Sequence, residues 1–329
     1  RMPGCTNLDC PAMAATTEAP STVRVLFYFA LWYFLNSYYN IFNKKALNVL
    51  PLPYLTASIQ IGAGILYVLP LWALGIRSPP KMTSKELMAV LPIGMIHGFG
   101  QLVTVMSLGA GSIAFVNVVK SLEPFFNVVF AAIFMRDFVP LPVLATLIPV
   151  VVGVGIASSA DLSFSWLCFA CAMGSNIFFS LRGVLSKVAM KDITKEANLG
   201  APNLFAIQTI IAFLATLPIA LFMEGASAKA AWDKTVAGGV DAQWLMQTIL
   251  GSGLTFYLYN EVSMLALDAV DPVTHAVGNT IKRVILILLD VVVFGKTLTT
   301  LSAAGSSIAI LGVFMYSIAK AKIPKAKKA

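Results

Sequence analysis

The chain has 329 residues, 58% of them hydrophobic and only 12% charged, with a mean hydropathy of +0.83. A soluble domain carries roughly 25% charged residues, so this composition excludes an ordinary globular protein and points to an all-α polytopic membrane protein. The formal charge of +8 fits basic loops on one membrane face, and nucleic acid need not be invoked.

Residues 1–22 are polar, small and aperiodic and read as a flexible tail, with no intact signal peptide. From there about ten segments are long and apolar enough to cross a bilayer, which asks for roughly 20 residues each. Their expected limits are 23–46, 53–75, 86–108, 112–135, 140–159, 164–189, 203–223, 242–267, 272–295 and 300–320. Pro/Gly, polar or charged clusters separate most of them, such as "GIRSPPKMTSKE", "RDFVPLP" and "EGASAKAAWDK". Residues 322–329 form a basic C-terminal tail.

The halves echo one another. "FNKKAL" at 42–47 ends the first span and "LSKVAM" at 185–190 the sixth; "AFVNVVKSLEPFFNVVF" in the fourth resembles "HAVGNTIKRVILILLDVVVF" in the ninth. That register puts Lys120 on Lys282 and Asn117 on Asn279. We therefore expect two five-helix repeats, 23–160 and 161–321. An odd number of spans per repeat inverts the second copy, the arrangement that lets carriers rock around a midplane site. With ten spans both termini share a side. Most Lys and Arg residues then lie on it, and only Lys44, Lys45, Lys229, Lys234 and Lys296 on the other, the expected positive-inside bias.

Four cations remain inside spans: Lys120, Arg182, Lys282 and Arg283. In the fourth span Asn117, Lys120, Glu123, Pro124 and Asn127 share one helix face. Pro124 cannot donate to the carbonyl four residues back, so a kink is expected there. In the ninth span His275, Gly278, Asn279 and Lys282 form a similar stripe, with Arg283 about 100° around. Glu123, Glu261 and Asp290 could pair with some of these cations. Even so, charge at mid-membrane marks a functional site more often than scaffold.

Arg presents a planar fork to phosphate oxygens and Lys a mobile point charge. Lys120, Lys282 and Arg283 in a dry cavity would thus form a receptor for a small dianion, with Thr104, Gln101, Tyr259 and Asn260 at hand to add hydrogen bonds. Closing that cavity empty would bury unpaired charge, so obligatory exchange is expected. With only two histidines and no His- or Asp-rich cluster, the chain gives no catalytic residues, no metal-ligand set and no cofactor motif. His97 reads as a packed residue, and Cys168 with Cys171 as small apolar packing residues.

The segments "LWYFLN…FNKKAL", "VVKSLEPFF", "SNIFFSLRGVLSK", "YNEVS" and "PVTHAVGNTIKRV" resemble the plastid phosphate translocator family of the drug/metabolite transporter superfamily, over about residues 24–320. The resemblance implies ten helices in inverted repeats and exchange of inorganic phosphate for phosphorylated metabolites across a plastid envelope membrane. It assigns phosphate contacts to Lys120, Lys282 and Arg283 and a further contact to Tyr259. The triose-phosphate branch is the nearest match, partly through His275, which implies three-carbon substrates such as triose phosphate and 3-phosphoglycerate. The carbon skeleton would then face Gln101, Thr104, Phe179 and Tyr259, with His275 and Asn279 completing the site. Gln101 stands where that branch carries histidine, Asn117 also departs from the family pattern, and "GQLVTVMSLG" is similar to the phosphoenolpyruvate branch. The alternatives are phosphoenolpyruvate/phosphate exchange and nucleotide-sugar transport. A monomer suffices for transport in this reading, and a dimer is compatible with it.

Overall fold

The computed structural model describes residues 22–322 apart from 162–163, 191–192, 194 and 271. The expected N-terminal tail (save Thr22) and basic C-terminal tail (save Lys322) lie outside the described residues. Among the described residues the chain is all helical. The helices are α1 (Thr22–Val49), α2 (Pro53–Ala73), α3 (Ser84–Ala110), α4 (Ile113–Lys120), α5 (Glu123–Met135) and α6 (Leu141–Ala145). They continue with α7 (Ile148–Ala160), α8 (Trp166–Ala189), α9 (Ala201–Ala237), α10 (Ala242–Ala269), α11 (Pro272–Phe294) and α12 (Thr300–Ala321).

Among the described residues seven segments are long and apolar enough to cross a membrane: α2, α3, α4 with α5, α6 with α7, α8, α9 and α12. The helices α1, α10 and α11 have 28, 28 and 23 residues, enough to span, but they carry the polar residues that face inward. Outward-facing side chains such as Phe222, Val292, Leu66 and Leu214 are large, apolar and exposed, as a lipid-facing surface requires.

Helix starts follow the local sequence. Thr83 and Glu86 form a capping box on α3; Ser112, Ser165, Asp241 and Thr299 each accept from an early amide of α4, α8, α10 and α12. Two further starts are capped across the fold by buried carboxylates. Glu224 of α9 accepts from the amides of Tyr54 (3.2 Å) and Leu55 (2.8 Å) at the start of α2. Asp290 of α11 accepts from Ala114 N (2.9 Å) at the start of α4. Asp290 is thus a cap rather than a partner for Arg283, and Glu261 pairs instead with Arg77 beyond the end of α2.

Several expected boundaries change. The span at 203–223 continues as helix to Ala237, because "GASAKAAWDK" is rich in Ala and other good helix formers. The span at 140–159 breaks at Thr146–Leu147, just before Pro149. Lys44 is not a loop cation: it is buried, and its Nζ donates to the carbonyls of Leu108 and Gly111, both at 2.7 Å, where α3 ends.

Packing follows a pattern. α1 lies on α10 and α3 on α8; α2 lies on α10 and α3 on α9; α1 meets α11 and α5 meets α8; α2 faces α9, α4 faces α11 and α7 faces α12. The α7–α12 contact is close because Gly153 and Ala157 face Gly305 and Ala309: a Cβ on either glycine would strike the partner helix's backbone. Small residues at four-residue spacing allow this approach in membranes. The cysteines Cys168 and Cys171 are buried free thiols in packing positions.

Candidate functional site

The fourth segment supplies the central feature. It breaks between α4 and α5 at Ser121–Leu122, with Pro124 in the first turn of α5. The break sets Lys120 at the carbonyl end of α4 and Glu123 at the amide end of α5, where each charge is favoured by its helix terminus. Carbonyls near the break find donors on α8: Asn176 Nδ2 donates to Val119 O (2.9 Å) and Ser180 Oγ to Glu123 O (3.2 Å). A broken helix is tolerable inside a membrane only where neighbours restore such bonds.

Lys120, Glu123 and Asn117 face α11, which runs unbroken and presents His275, Asn279, Lys282 and Arg283. Together with α1, α3, α8 and α10 they enclose a cavity of about 290 Å³. Of the residues expected at the site, Lys120, Lys282, Arg283, Tyr259, Thr104, Phe179, His275 and Asn279 line it. Gln101 does not. It is buried one layer back and donates from Nε2 to the Tyr39 hydroxyl at 2.8 Å. Tyr39 itself lines the cavity, as do Trp32, Asn36, Asn40, Arg182, Asn260 and Ser263. Motif reading missed Trp32, Tyr39 and the two asparagines. The sequence did carry a signal: aromatic and amide residues recur at three- and four-residue spacing along α1.

Among the described residues four cationic side chains, Lys120, Arg182, Lys282 and Arg283, line the cavity against one carboxylate, Glu123. Arg283 takes that carboxylate, Nη2 to Oε2 at 2.6 Å. Among the described residues neither lysine makes an ion pair. Lys120 instead lies 5.1 Å from the centre of the Phe179 ring and 3.3 Å from Thr104 Oγ1; Lys282 lies 4.9 Å from the centre of the Trp32 ring. Trp32 is also stacked with His275, at 4.9 Å and 10°. Cation–π contact compensates a lysine only partly, by roughly 0.5–2 kcal/mol.

Arg182 also lies over Phe179 (5.3 Å), and its Nη1 meets His97 Nδ1 at 2.9 Å. His97 is fully buried, stacked on Phe256, and does not line the cavity, in keeping with a packing role. The Tyr39 hydroxyl accepts from Gln101 and, at 3.3 Å, from Asn43. With both acceptor positions engaged, its own proton is left to point elsewhere, and the cavity is the space beside it. Among the described residues no group of three or more His, Cys, Asp or Glu could hold a metal ion.

The Triose-phosphate Transporter family model matches residues 23–317. The chloroplastic triose phosphate/phosphate translocator of Flaveria pringlei is 38% identical over 302 residues, covering 92% of this chain and 72% of that one. The chloroplastic phosphoenolpyruvate/phosphate translocator 1 of Oryza sativa subsp. japonica is also 38% identical over 302 residues, covering 92% and 73%. A solved crystal structure, 16% identical, superposes with a TM-score of 0.56 over 92% of this chain and 98% of that chain, a likeness of fold alone. The chain belongs to the Triose-phosphate Transporter family.

Proposed function

We propose that the protein is an antiporter exchanging inorganic phosphate for three-carbon phosphorylated metabolites across a plastid envelope membrane. One observation carries this reading: a polar cavity lined, among the described residues, by four cations and one carboxylate. A dianion brings that set close to balance. The volume of about 290 Å³ sits at the small end of ligand pockets, which suits a phosphate or a three-carbon ester and disfavours a nucleotide sugar. The relatives are named as plastid translocators, and we read this chain as a carrier rather than an enzyme.

In this reading Lys120, Lys282, Arg283 and Arg182 hold the phosphate, and Thr104, Tyr259, Asn279 and His275 surround the carbon skeleton. Gln101 acts at one remove, fixing Tyr39 so that its hydroxyl donates into the cavity. We further infer ten membrane spans in two inverted five-helix repeats, so a single chain holds the whole cavity. The symmetry of the packing supports this. Exchanging the halves (α1 with α8, α2 with α9, α3 with α10, α4 and α5 with α11, α7 with α12) turns each of the helix contacts named above either into another of them or, for α2–α9, α4–α11 and α7–α12, into itself. Lys120 resting on Phe179 of α8 and Lys282 resting on Trp32 of α1 obey the same exchange.

Phosphoenolpyruvate/phosphate exchange is the second reading, favoured by equal identity to that branch and by the neutral Gln101. Competition of triose phosphate, 3-phosphoglycerate, phosphoenolpyruvate and glucose 6-phosphate against phosphate uptake into proteoliposomes separates them. Triose phosphate should compete best. Dominance by phosphoenolpyruvate selects the second reading, and dominance by glucose 6-phosphate defeats both.

A further inference from the structure

A second and larger cavity, of about 690 Å³, lies outside the polar site. It occupies a wedge between α7 and α8, the helices on either side of the junction between the two halves. α7 packs on α12 and α4, and α8 on α3, α5 and α4, but the two are not packed along their length. The walls are apolar, with Val151, Val154 and Gly155 on one side and Phe169 and Met173 on the other. Leu122, in the break between Lys120 and Glu123, forms part of the lining. Along α7 the wedge runs from Val151 to Ser159, roughly 12 Å at 1.5 Å per residue.

Three features identify the occupant. First, α7 and α8 span the bilayer, so the medium beside the wedge is lipid, and its apolar depth suits a hydrocarbon chain. Second, the polar side chains lie at one end only, two residues from the end of α7. Ser159 already donates to Ile156 O, whereas the Ser158 hydroxyl is buried and without a partner. A buried unmade hydrogen bond costs about 1–3 kcal/mol; Ser158 lines the wedge, and a rotation about its χ1 would bring the hydroxyl out to the ester carbonyl of a glycerolipid, an acceptor at that interfacial depth. Beside it the exposed Trp166 takes the position typical of interfacial indoles. Third, the space is built into the backbone. A Cβ at Gly155 would meet nothing within 4 Å, whereas one at Gly153, two residues earlier, would strike α12. Close helix packing therefore explains Gly153 but not Gly155.

We propose that the wedge is a binding site for one glycerolipid, its acyl chain between α7 and α8 and its ester carbonyl on Ser158. The chain end would then rest behind the helix break that carries Lys120 and Glu123, tying the site to the lipid around it.

The test is labelling of the full chain in proteoliposomes by a phosphatidylcholine with a photoactivatable diazirine in its acyl chain, mapped by peptide mass spectrometry. Labelling should concentrate on Val151–Ser159 and Phe169–Met173, well above the plain lipid-facing positions Leu214 and Phe222. Gly155→Phe, which fills the wedge, should lower wedge labelling by at least roughly tenfold while leaving Leu214 and Phe222 unchanged. Ser158→Ala should lower it about fivefold, the equivalent of one hydrogen bond of about 1 kcal/mol. If Gly155→Phe depresses labelling everywhere, the smaller Gly155→Leu decides, and it must show the selective loss. Labelling of the wedge no denser than at Leu214 and Phe222, or unaffected by the filling variants, overturns the proposal. So does a wedge without label whose Gly155→Phe variant loses self-association, which would assign it to a second copy of the chain.

Discussion

Replacing Lys282 by methionine separates function from stability, because the structure gives the two lysines and Arg283 different surroundings. Lys282 has no carboxylate in ion-pair contact among the described residues; its compensation is the Trp32 ring at 4.9 Å. Lys282→Met keeps most of the side-chain volume, forfeits roughly 0.5–2 kcal/mol of cation–π contact and removes a charge that makes no ion pair among the described residues. Apolar replacement of buried ionic groups is often neutral or stabilising by roughly 1–4 kcal/mol, so the net expectation is unchanged stability or a gain of about 2 kcal/mol. Phosphate, by contrast, loses a charge-assisted hydrogen bond of about 1.5–3 kcal/mol, an affinity loss of roughly 10- to 150-fold. Arg283→Met should lose exchange as well, but with the opposite effect on stability. It strands Glu123, whose bond to Arg283 spans 2.6 Å. A fully buried broken pair costs roughly 3–5 kcal/mol; the Glu123 side chain is 30% exposed, and we expect about 1–3 kcal/mol of destabilisation after allowing for solvent screening. Thermal melts of purified wild type and both variants, with and without phosphate, read stability and binding together. Counter-exchange in proteoliposomes reads transport. A melting temperature that falls as far for Lys282→Met as for Arg283→Met, or a Lys282→Met variant that still exchanges, refutes the reasoning.

Tyr39→Phe and Gln101→Leu should raise KM for phosphate esters to a similar degree, and the double variant should be no worse than either, since Gln101 acts through the Tyr39 hydroxyl. Gln101→His should raise KM less than Gln101→Leu, because an imidazole N–H can still donate to the Tyr39 hydroxyl, and the substrate ranking should not change between about pH 6 and 7.5, because burial disfavours the charged imidazole; a pH-dependent ranking would show that position 101 meets the substrate directly. Gly153→Leu and Gly305→Leu should each lower the melting temperature, whereas Gly155→Ala should be neutral or stabilising by up to about 1 kcal/mol, and equal losses would contradict the packing described. Arg77→Gln should weaken the tie between the α2–α3 connection and α10. The hydrogen bond to Glu261 raises the Arg77 pKa above its ordinary value, so the guanidinium stays charged and its side of the tie should not titrate between pH 6 and 9.

The sequence carried the all-helical membrane class and the meeting of the fourth segment with the ninth. Those signals are strong because a bilayer dictates segment length and because charge is rare enough in spans to stand out. Lys120, Lys282 and Arg283 were legible for that reason, as was the break at Pro124. Gln101 and Tyr39 were not separable, because which of two neighbouring polar residues reaches a cavity depends on how α1 and α3 rotate against each other. The roles of Lys44, Glu224 and Asp290 were hidden too: each bonds backbone groups of a helix distant in sequence. The extension of α9 to Ala237 was missed because charged residues in "AKAAWDK" resemble a loop when only hydropathy is read.

The most direct test of the central claim is uptake of labelled phosphate into proteoliposomes loaded either with phosphate or with buffer salts alone. A cavity holding four cations and one carboxylate should close readily around a dianion and poorly around nothing. Rapid uptake with internal phosphate and very little without it is the predicted result. Equal uptake in both would mean that the empty protein reorients or conducts freely, and would contradict the account.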